Sequence, residues 1–224
     1  MINRFYKNNY IIGGVFMKRA LHVFLVSVVG LNLGLLAFSI VPTKNNAVSA
    51  KATAVALQPG EYTVGTDIKP GRYTVTPQNG SGNFYSDPKK SSGSSLNEVL
   101  GTDNPTYVPS VTANFKKGDK VKMEGIPSVQ FTPVTNRNKN NTTTLGAGIW
   151  VVGKDIKKGK YQVTPGQEQS GNFTVEPKSM FGSSTNEILG DDTSAGQVPK
   201  INATLHKGDT IQIQGMSQVN FSKK

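Results

Sequence analysis

One twelve-residue phrase occurs twice in this chain. VGTDIKPGRYTV at Val64–Val75 returns as VGKDIKKGKYQV at Val152–Val163, and the residues on both sides fall into register on that match. Tyr62 aligns with Trp150, Asp67 with Asp155, Gly71 with Gly159, Tyr73 with Tyr161, and Thr76-Pro77 with Thr164-Pro165. After a one-residue insertion, SGNF at Ser81–Phe84 meets SGNF at Ser170–Phe173, and SSLNEVLG from Ser94 meets SSTNEILG from Ser183. VTANFKKGDKVKMEG then meets INATLHKGDTIQIQG. A segment of about 80 residues written twice calls for two like modules, not for one larger core. The insertions fall between the matching blocks, as they do when blocks are strands and gaps are surface loops.

The blocks carry the two-residue period of half-buried strands. Val111, Ala113 and Phe115 alternate with Thr112 and Asn114; a KKGD turn follows, then Val121 and Met123 between Lys120 and Lys122, then Val129 and Phe131 around Gln130. The second copy repeats this as Ile201, Ala203 and Leu205, HKGD, Ile211 and Ile213, then Val219 and Phe221. One apolar and one wet face per strand predict antiparallel sheets packed in pairs. The expected fold is therefore all-β, two tandem antiparallel β-sandwich or jelly-roll-like domains after an N-terminal hydrophobic helix. The expected boundaries are a leader over residues 1–50, repeat one over 57–134, a linker over 135–144 and repeat two over 145–224. LNEVLG and NEILG read as strand or a single helical turn, with strand preferred. In DIKPGRY, Pro70 and Gly71 predict a type II turn with positive φ at Gly71, and Gly159 keeps that glycine in copy two. The linker TNRNKNNTTT is polar and lacks large apolar residues, which predicts a loosely ordered connection.

Ala20–Val41 is an uncharged, Leu-, Val- and Phe-rich stretch preceded by Lys18 and Arg19, the pattern of an export signal. Its length nears that of a bilayer span, while Pro42 ends it and Val48-Ser49-Ala50 supplies a peptidase site. Cleavage near Ala50 and retention as a membrane anchor both follow from these residues, and either places the repeats outside the membrane. Met17 is the expected initiator, since Gly13-Gly14 can be encoded by a ribosome-binding sequence just upstream. The expected location is extracellular or at the cell surface, without covalent wall attachment, because no sorting motif follows Ser222-Lys223-Lys224.

The formal net charge is +11, but five of the 25 bases and none of the 14 acids lie in the first 50 residues. The remaining excess reads as spread along the chain. It suits a cell-wall glycan or an anionic polymer such as teichoic acid, or a solvated basic surface; no nucleic-acid partner is expected.

The pattern YxVGxDIxxGxYxV, followed by SGNF and a GDxxxxxG…VxF tail, resembles a small β-domain of uncharacterised function in exported or membrane-tethered proteins of Gram-positive bacteria. Tyr62–Val75 and Trp150–Val163 meet it, with tails ending at Phe131 and Phe221 and with Trp150 in place of the usual tyrosine. The resemblance implies export and a β-fold; it brings no catalytic residues with it.

Catalytic chemistry has little material. There is no cysteine, and of the two histidines His22 lies in the leader while His206 faces Lys116 in the other copy, so no nucleophile–histidine pair or histidine metal site is expected. Three carboxylate pairs repeat: Asp67 with Asp155, Glu98 with Glu187, and Asp119 with Asp209. A pair such as Asp67 and Glu98 serves glycoside hydrolysis only if suitably spaced, and turn-forming roles account for these residues more simply. Asp191 and Asp192 lack calcium-loop spacing. No cofactor, no metal and no catalytic site are expected. Tyr73, Tyr161, Phe84, Phe173, Phe131 and Phe221 recur at strand positions and read as core. Tyr85, Tyr107 and Phe181 have no aromatic counterpart and form the candidate ligand surface. The expected role is a non-catalytic binding or interaction module of the cell envelope; the alternatives are a membrane-tethered spacer and, third, a carbohydrate-active enzyme.

Overall fold

A computed structural model describes residues 51–91, 93–137 and 139–224. The leader, with the hydrophobic helix expected over Ala20–Val41, lies outside the described residues. The first copy forms β1 (Val55–Leu57), β2 (Gly60–Thr63), β3 (Gly71–Asn79), β4 (Gly82–Asp87), β5 (Leu96–Leu100), β6 (Val111–Phe115), β7 (Lys120–Glu124) and β8 (Ser128–Pro133). The second forms β9 (Thr144–Leu145), β10 (Gly148–Val151), β11 (Gly159–Pro165), β12 (Gly171–Glu176), β13 (Thr185–Leu189), β14 (Ile201–Leu205), β15 (Thr210–Gln214) and β16 (Val219–Lys223). Apart from one short 3-10 turn at Thr193–Ala195, no helix occurs among the described residues.

The two copies pair their strands in the same order. In the first, β1-β8-β3-β6 and β2-β7-β4-β5 are hydrogen-bonded neighbours; in the second, β9-β16-β11-β14 and β10-β15-β12-β13 are. The pairings within each copy are antiparallel, and Gly71 opposite Phe115 in one copy becomes Gly159 opposite Leu205 in the other. Between the copies a parallel contact, Thr112 with Gly148, sets β6 beside β10 and fuses half of each copy into one eight-stranded sheet.

Alternation along the strands builds two separate cores. In β7 the order is exposed, buried, intermediate, buried, exposed, so Val121 and Met123 enter the interior while the lysines face water. The first core draws Tyr73, Val75 and Phe131 from one set of strands and Phe84, Leu100 and Val121 from the other. Its rings of Tyr73, Phe84, Phe115 and Phe131 meet in tilted and edge-on pairs with centroids 6.0–6.5 Å apart, a geometry that suits the ring quadrupoles. The second core repeats this with Tyr161, Phe173 and Phe221, and Leu205 stands where Phe115 stood. Among the described residues both cores and the strand pairings belong to one compact unit.

Three local expectations change. Gly71 does not carry the positive φ; that falls to Gly65 (φ 93) and Gly153 (φ 85) in the VGxD reversals, where Gly65 N–H donates to the Ile68 carbonyl at 2.6 Å. Gly71 opens β3, and a Cβ there would stand 2.5 Å from that of Ala52, so close packing is its reason. The first copy begins before the expected residue 57, because Val55 pairs with Phe131. The linker is partly tied down: Arg137 meets Asp155, and Thr144 opens β9.

Candidate functional site

At the seam between the copies lies a cleft of ≈ 340 Å³ walled by the β4–β5 loop, the β6–β7 turn, the linker, and β10 with its following turn. Four of its bases come from two loops of the first copy, Lys89 and Lys90 from one and Lys116 and Lys117 from the other. Arg137 and Lys154 complete the cationic wall. One buried carboxylate binds the two loops together. Asp119 accepts from Lys89 N–H at 3.0 Å with Oδ1 and from Lys116 N–H at 2.7 Å with Oδ2. Its charge is thus spent on backbone amides, and the lysine side chains are left to face outward. Glycines shape the loops further. The stem of Lys89 lies over Gly118 and that of Lys117 over Gly65, each where a Cβ would come within 3 Å of it. Flat glycine surfaces therefore carry the aliphatic stems and leave the ammonium groups in water.

The second copy has the same frame with different tips. Asp209 accepts from Lys178 N–H at 3.0 Å and His206 N–H at 2.7 Å. Ser179, Met180 and Phe181 stand where the first copy has Lys90, Ser91 and residue 92, and His206 replaces Lys116. The second copy thus keeps one lysine of each doublet, Lys178 and Lys207, and lacks the other.

The seam itself is polar and buried. Arg72, only 7% exposed, reaches from β3 to donate from Nη1 to the Ile149 carbonyl at 3.0 Å; its Nη2 lies 3.4 Å from Asp155 Oδ1, and its guanidinium sits 5.0 Å from the Trp150 ring centre. Burial pushes this guanidinium down to about 10, against the pull of Asp155, with Arg137 pushing the same way as burial. It stays a cation at neutral pH. Asp155 is held from behind by Val151 N–H at 2.7 Å and faces Arg137 Nε at 3.3 Å. Further along, Glu98 is 3% exposed and accepts from Gly215 N–H at 3.1 and 3.3 Å, while Gln212 and Gln214 donate to the carbonyls of Ser95 and Asn97. Burial lifts the Glu98 carboxyl to about 7, partly opposed by the Gly215 N–H.

The three aromatic candidates occupy separate segments. Tyr85 lies on β4 and, with Tyr62, Glu61, Asp87, Lys120 and Lys122, lines a second depression of ≈ 450 Å³ on the outer face of β2, β7 and β4. Tyr107 lies in the β5–β6 loop, its ring 2.9 Å from where a Gly101 Cβ would stand. Phe181 projects beside Met180 from the β12–β13 loop, the two exposed by 98% and 96%. Neither Tyr107 nor Phe181 lines either depression. Asp67 follows β2 and Glu98 lies on β5, the two outer strands of a four-strand set, so about three strand spacings, ~14 Å, separate them. That exceeds the separation of a glycosidase pair. Among the described residues no three His, Asp or Glu side chains gather as a metal site would require.

Sequence reasoning missed the cationic cleft because it treated the basic residues as dispersed. The available signal was the doublet Lys89-Lys90 matched by the doublet Lys116-Lys117, two loops at the same end of neighbouring strands. Compared with protein-family models, with curated proteins and with solved structures, the chain matches none.

Proposed function

We propose that this chain is an exported, non-enzymatic protein of a Gram-positive cell envelope. In this reading each copy is an eight-stranded jelly-roll sandwich, and the cleft at their seam binds an anionic polymer of the polyol-phosphate kind. The observation that carries the reading is the convergence of Lys89, Lys90, Lys116, Lys117 and Lys154 on one cleft lined by two acids, Asp87 and Asp119, of which Asp119 is already occupied by backbone amides. A row of ammonium groups above a low-dielectric wall raises the local concentration of polyanions and favours repeated phosphates over single ones. The strand orders 1-8-3-6 and 2-7-4-5 support the jelly-roll winding. Export rests on the leader read in the sequence. The non-catalytic reading rests on the work the repeated carboxylates already do in turns and in the seam.

The test is retention of the Lys51–Lys224 fragment on immobilised teichoic acid across a salt series. Binding is expected to weaken steadily with salt. It should be lost in a variant with Lys89, Lys90, Lys116 and Lys117 all changed to Glu. Reversal of Lys157, Lys158, Lys200 and Lys223, none of which lines the cleft, should leave most of it. Equal losses in the two variants would reduce the site to a diffuse basic surface, and no retention of the wild type would remove the reading.

A further inference from the structure

The contact that joins the two copies inside one chain has both of its halves presented a second time on the outside. We propose that the chain associates head to tail with a second molecule of itself. The free β14 edge of one molecule seats in parallel on the free β2 edge of the next, with Lys160 acting as Arg72 does and Asp67 as Asp155 does.

The internal junction uses β6 from the first copy and β10 from the second, joined by Thr112 N–H donating to the Ala147 carbonyl at 3.1 Å. The counterparts of these strands, β14 and β2, each end their own four-stranded sheet, with no strand on the other side among the described residues. An unpaired edge carries a row of free backbone donors and acceptors and is a template for another strand.

The side chains that orient the internal junction recur on those two edges. Asp67 is exposed and held by Thr63 N–H at 2.7 Å, as Asp155 is by Val151 N–H at 2.7 Å, so its carboxylate is preset in the same turn. Tyr62 supplies the ring that Trp150 supplies inside; each is tethered to the carbonyl four residues earlier at 2.9 Å. Lys160 is exposed and opposite Thr204, the place that Arg72 takes opposite Asn114. Glu187 is the exposed counterpart of Glu98, and Gly125 (φ 78) has the backbone form of Gly215 (φ 76), whose N–H Glu98 takes. Gly60 keeps the glycine of Gly148, where a Cβ would come within 2.1 Å of the Thr112 carbonyl oxygen across the junction.

One charge pair is complementary, a lysine facing Asp67, whereas Glu187 approaches a β2–β7 face on which Lys122 is already paired with Glu124 and Glu61. The apolar contribution is smaller than inside the chain, because Ile149, which packs on the first core, is matched by Glu61. The association is therefore weaker than the internal junction and sensitive to salt. A face that meets a different face makes a heterologous contact, which continues into a ring or an open row.

Sedimentation velocity on the Lys51–Lys224 fragment, free of polymer, tests this from about 1 to about 500 µM. The weight-average mass should rise with concentration and fall back at high salt. Asp67→Asn keeps the oxygen that Thr63 N–H requires, and Lys160→Glu lies on an exposed strand position, so neither disturbs a core. Each should weaken association at least tenfold. An equimolar mixture of the two variants retains one good Asp67 face and one good Lys160 face, and should form dimers that grow no further. A fragment that stays monomeric over the whole range overturns the proposal. So does association indifferent to both variants, or a mixture that builds species beyond the dimer.

Discussion

Alanine at Asp155 and alanine at Asp67 remove the same atom set from the same turn, and the structure assigns them different losses. Asp67 gives up one bond from Thr63 N–H at an exposed site, worth about 1–2 kcal/mol. Asp155 gives up the matching bond from Val151 N–H and in addition strands Arg72, which is buried and whose Nε and Nη2 have no hydrogen-bond partner among the described residues. Breaking a buried pair from one side costs about 3–5 kcal/mol, most of it for the charge left behind. Asp155→Ala should therefore cost about 2–3 kcal/mol more than Asp67→Ala. Removing the stranded cation as well, with Arg72→Met added to Asp155→Ala, should recover about 2 kcal/mol, read as the coupling of a double-mutant cycle. Urea unfolding is the assay. Trp150, the only tryptophan, sits on the seam and reports it by fluorescence, while circular dichroism reports all the strands. The two signals should coincide in the wild type and separate in Asp155→Ala as the copies lose their tie. Equal losses for the two alanine variants, or no recovery with Arg72→Met, would refute the account of the seam.

Glu98 gives a pH dependence whose sign follows from burial. Its folded carboxyl titrates at about 7 against an ordinary 4.5, so between those values the folded chain holds a proton that the unfolded chain has released. Stability contributed by this group falls as pH rises through that window, by roughly 3 kcal/mol in full. Glu98→Gln should flatten that slope in urea titrations at several pH values, whereas Glu187→Gln, exposed in the other copy, should leave it unchanged. Gly148→Ala forces a Cβ to within 2.1 Å of the Thr112 oxygen and should cost about 3 kcal/mol with a shift in Trp150 emission. Gly60→Ala meets the Tyr62 side chain, its hydroxyl nearest at 3.4 Å, and should cost about 1–2 kcal/mol in thermal unfolding, the backbone strain alone.

The strands were legible because a sheet with one wet face writes a two-residue period into the chain. Val111, Ala113 and Phe115, and Val121 and Met123, are buried as that period requires. The aromatic core was legible for a second reason: Tyr73, Phe84 and Phe131 recur as Tyr161, Phe173 and Phe221, and all six are buried. Turn detail was less so, since Gly65 and Gly71 both recur and only geometry shows which bends the chain. The seam left no local signal at all, because Glu98 and Gly215 are 117 residues apart. The cationic cleft lay between these extremes, visible as two lysine doublets once the loops bearing them are known to be neighbours.

Glu98 and Glu187 are the same residue in the same strand of the same order, yet one is 3% exposed and the other faces water. Repetition alone specifies two like modules; it does not specify how they sit together. The differences between the copies concentrate where that second question is decided. Arg72 stands against Lys160, Ile149 against Glu61, and Gln212 and Gln214 against Lys122 and Glu124. Each replacement puts the better buried group on the inner junction and the better solvated group on the outer face. An arginine at the inner position stacks on a ring and takes a carbonyl together, which the single ammonium of Lys160 does less well. The two copies thus diverged along the line between a permanent contact and a soluble surface, while the glycine, aspartate and aromatic ring that set its geometry stayed in both.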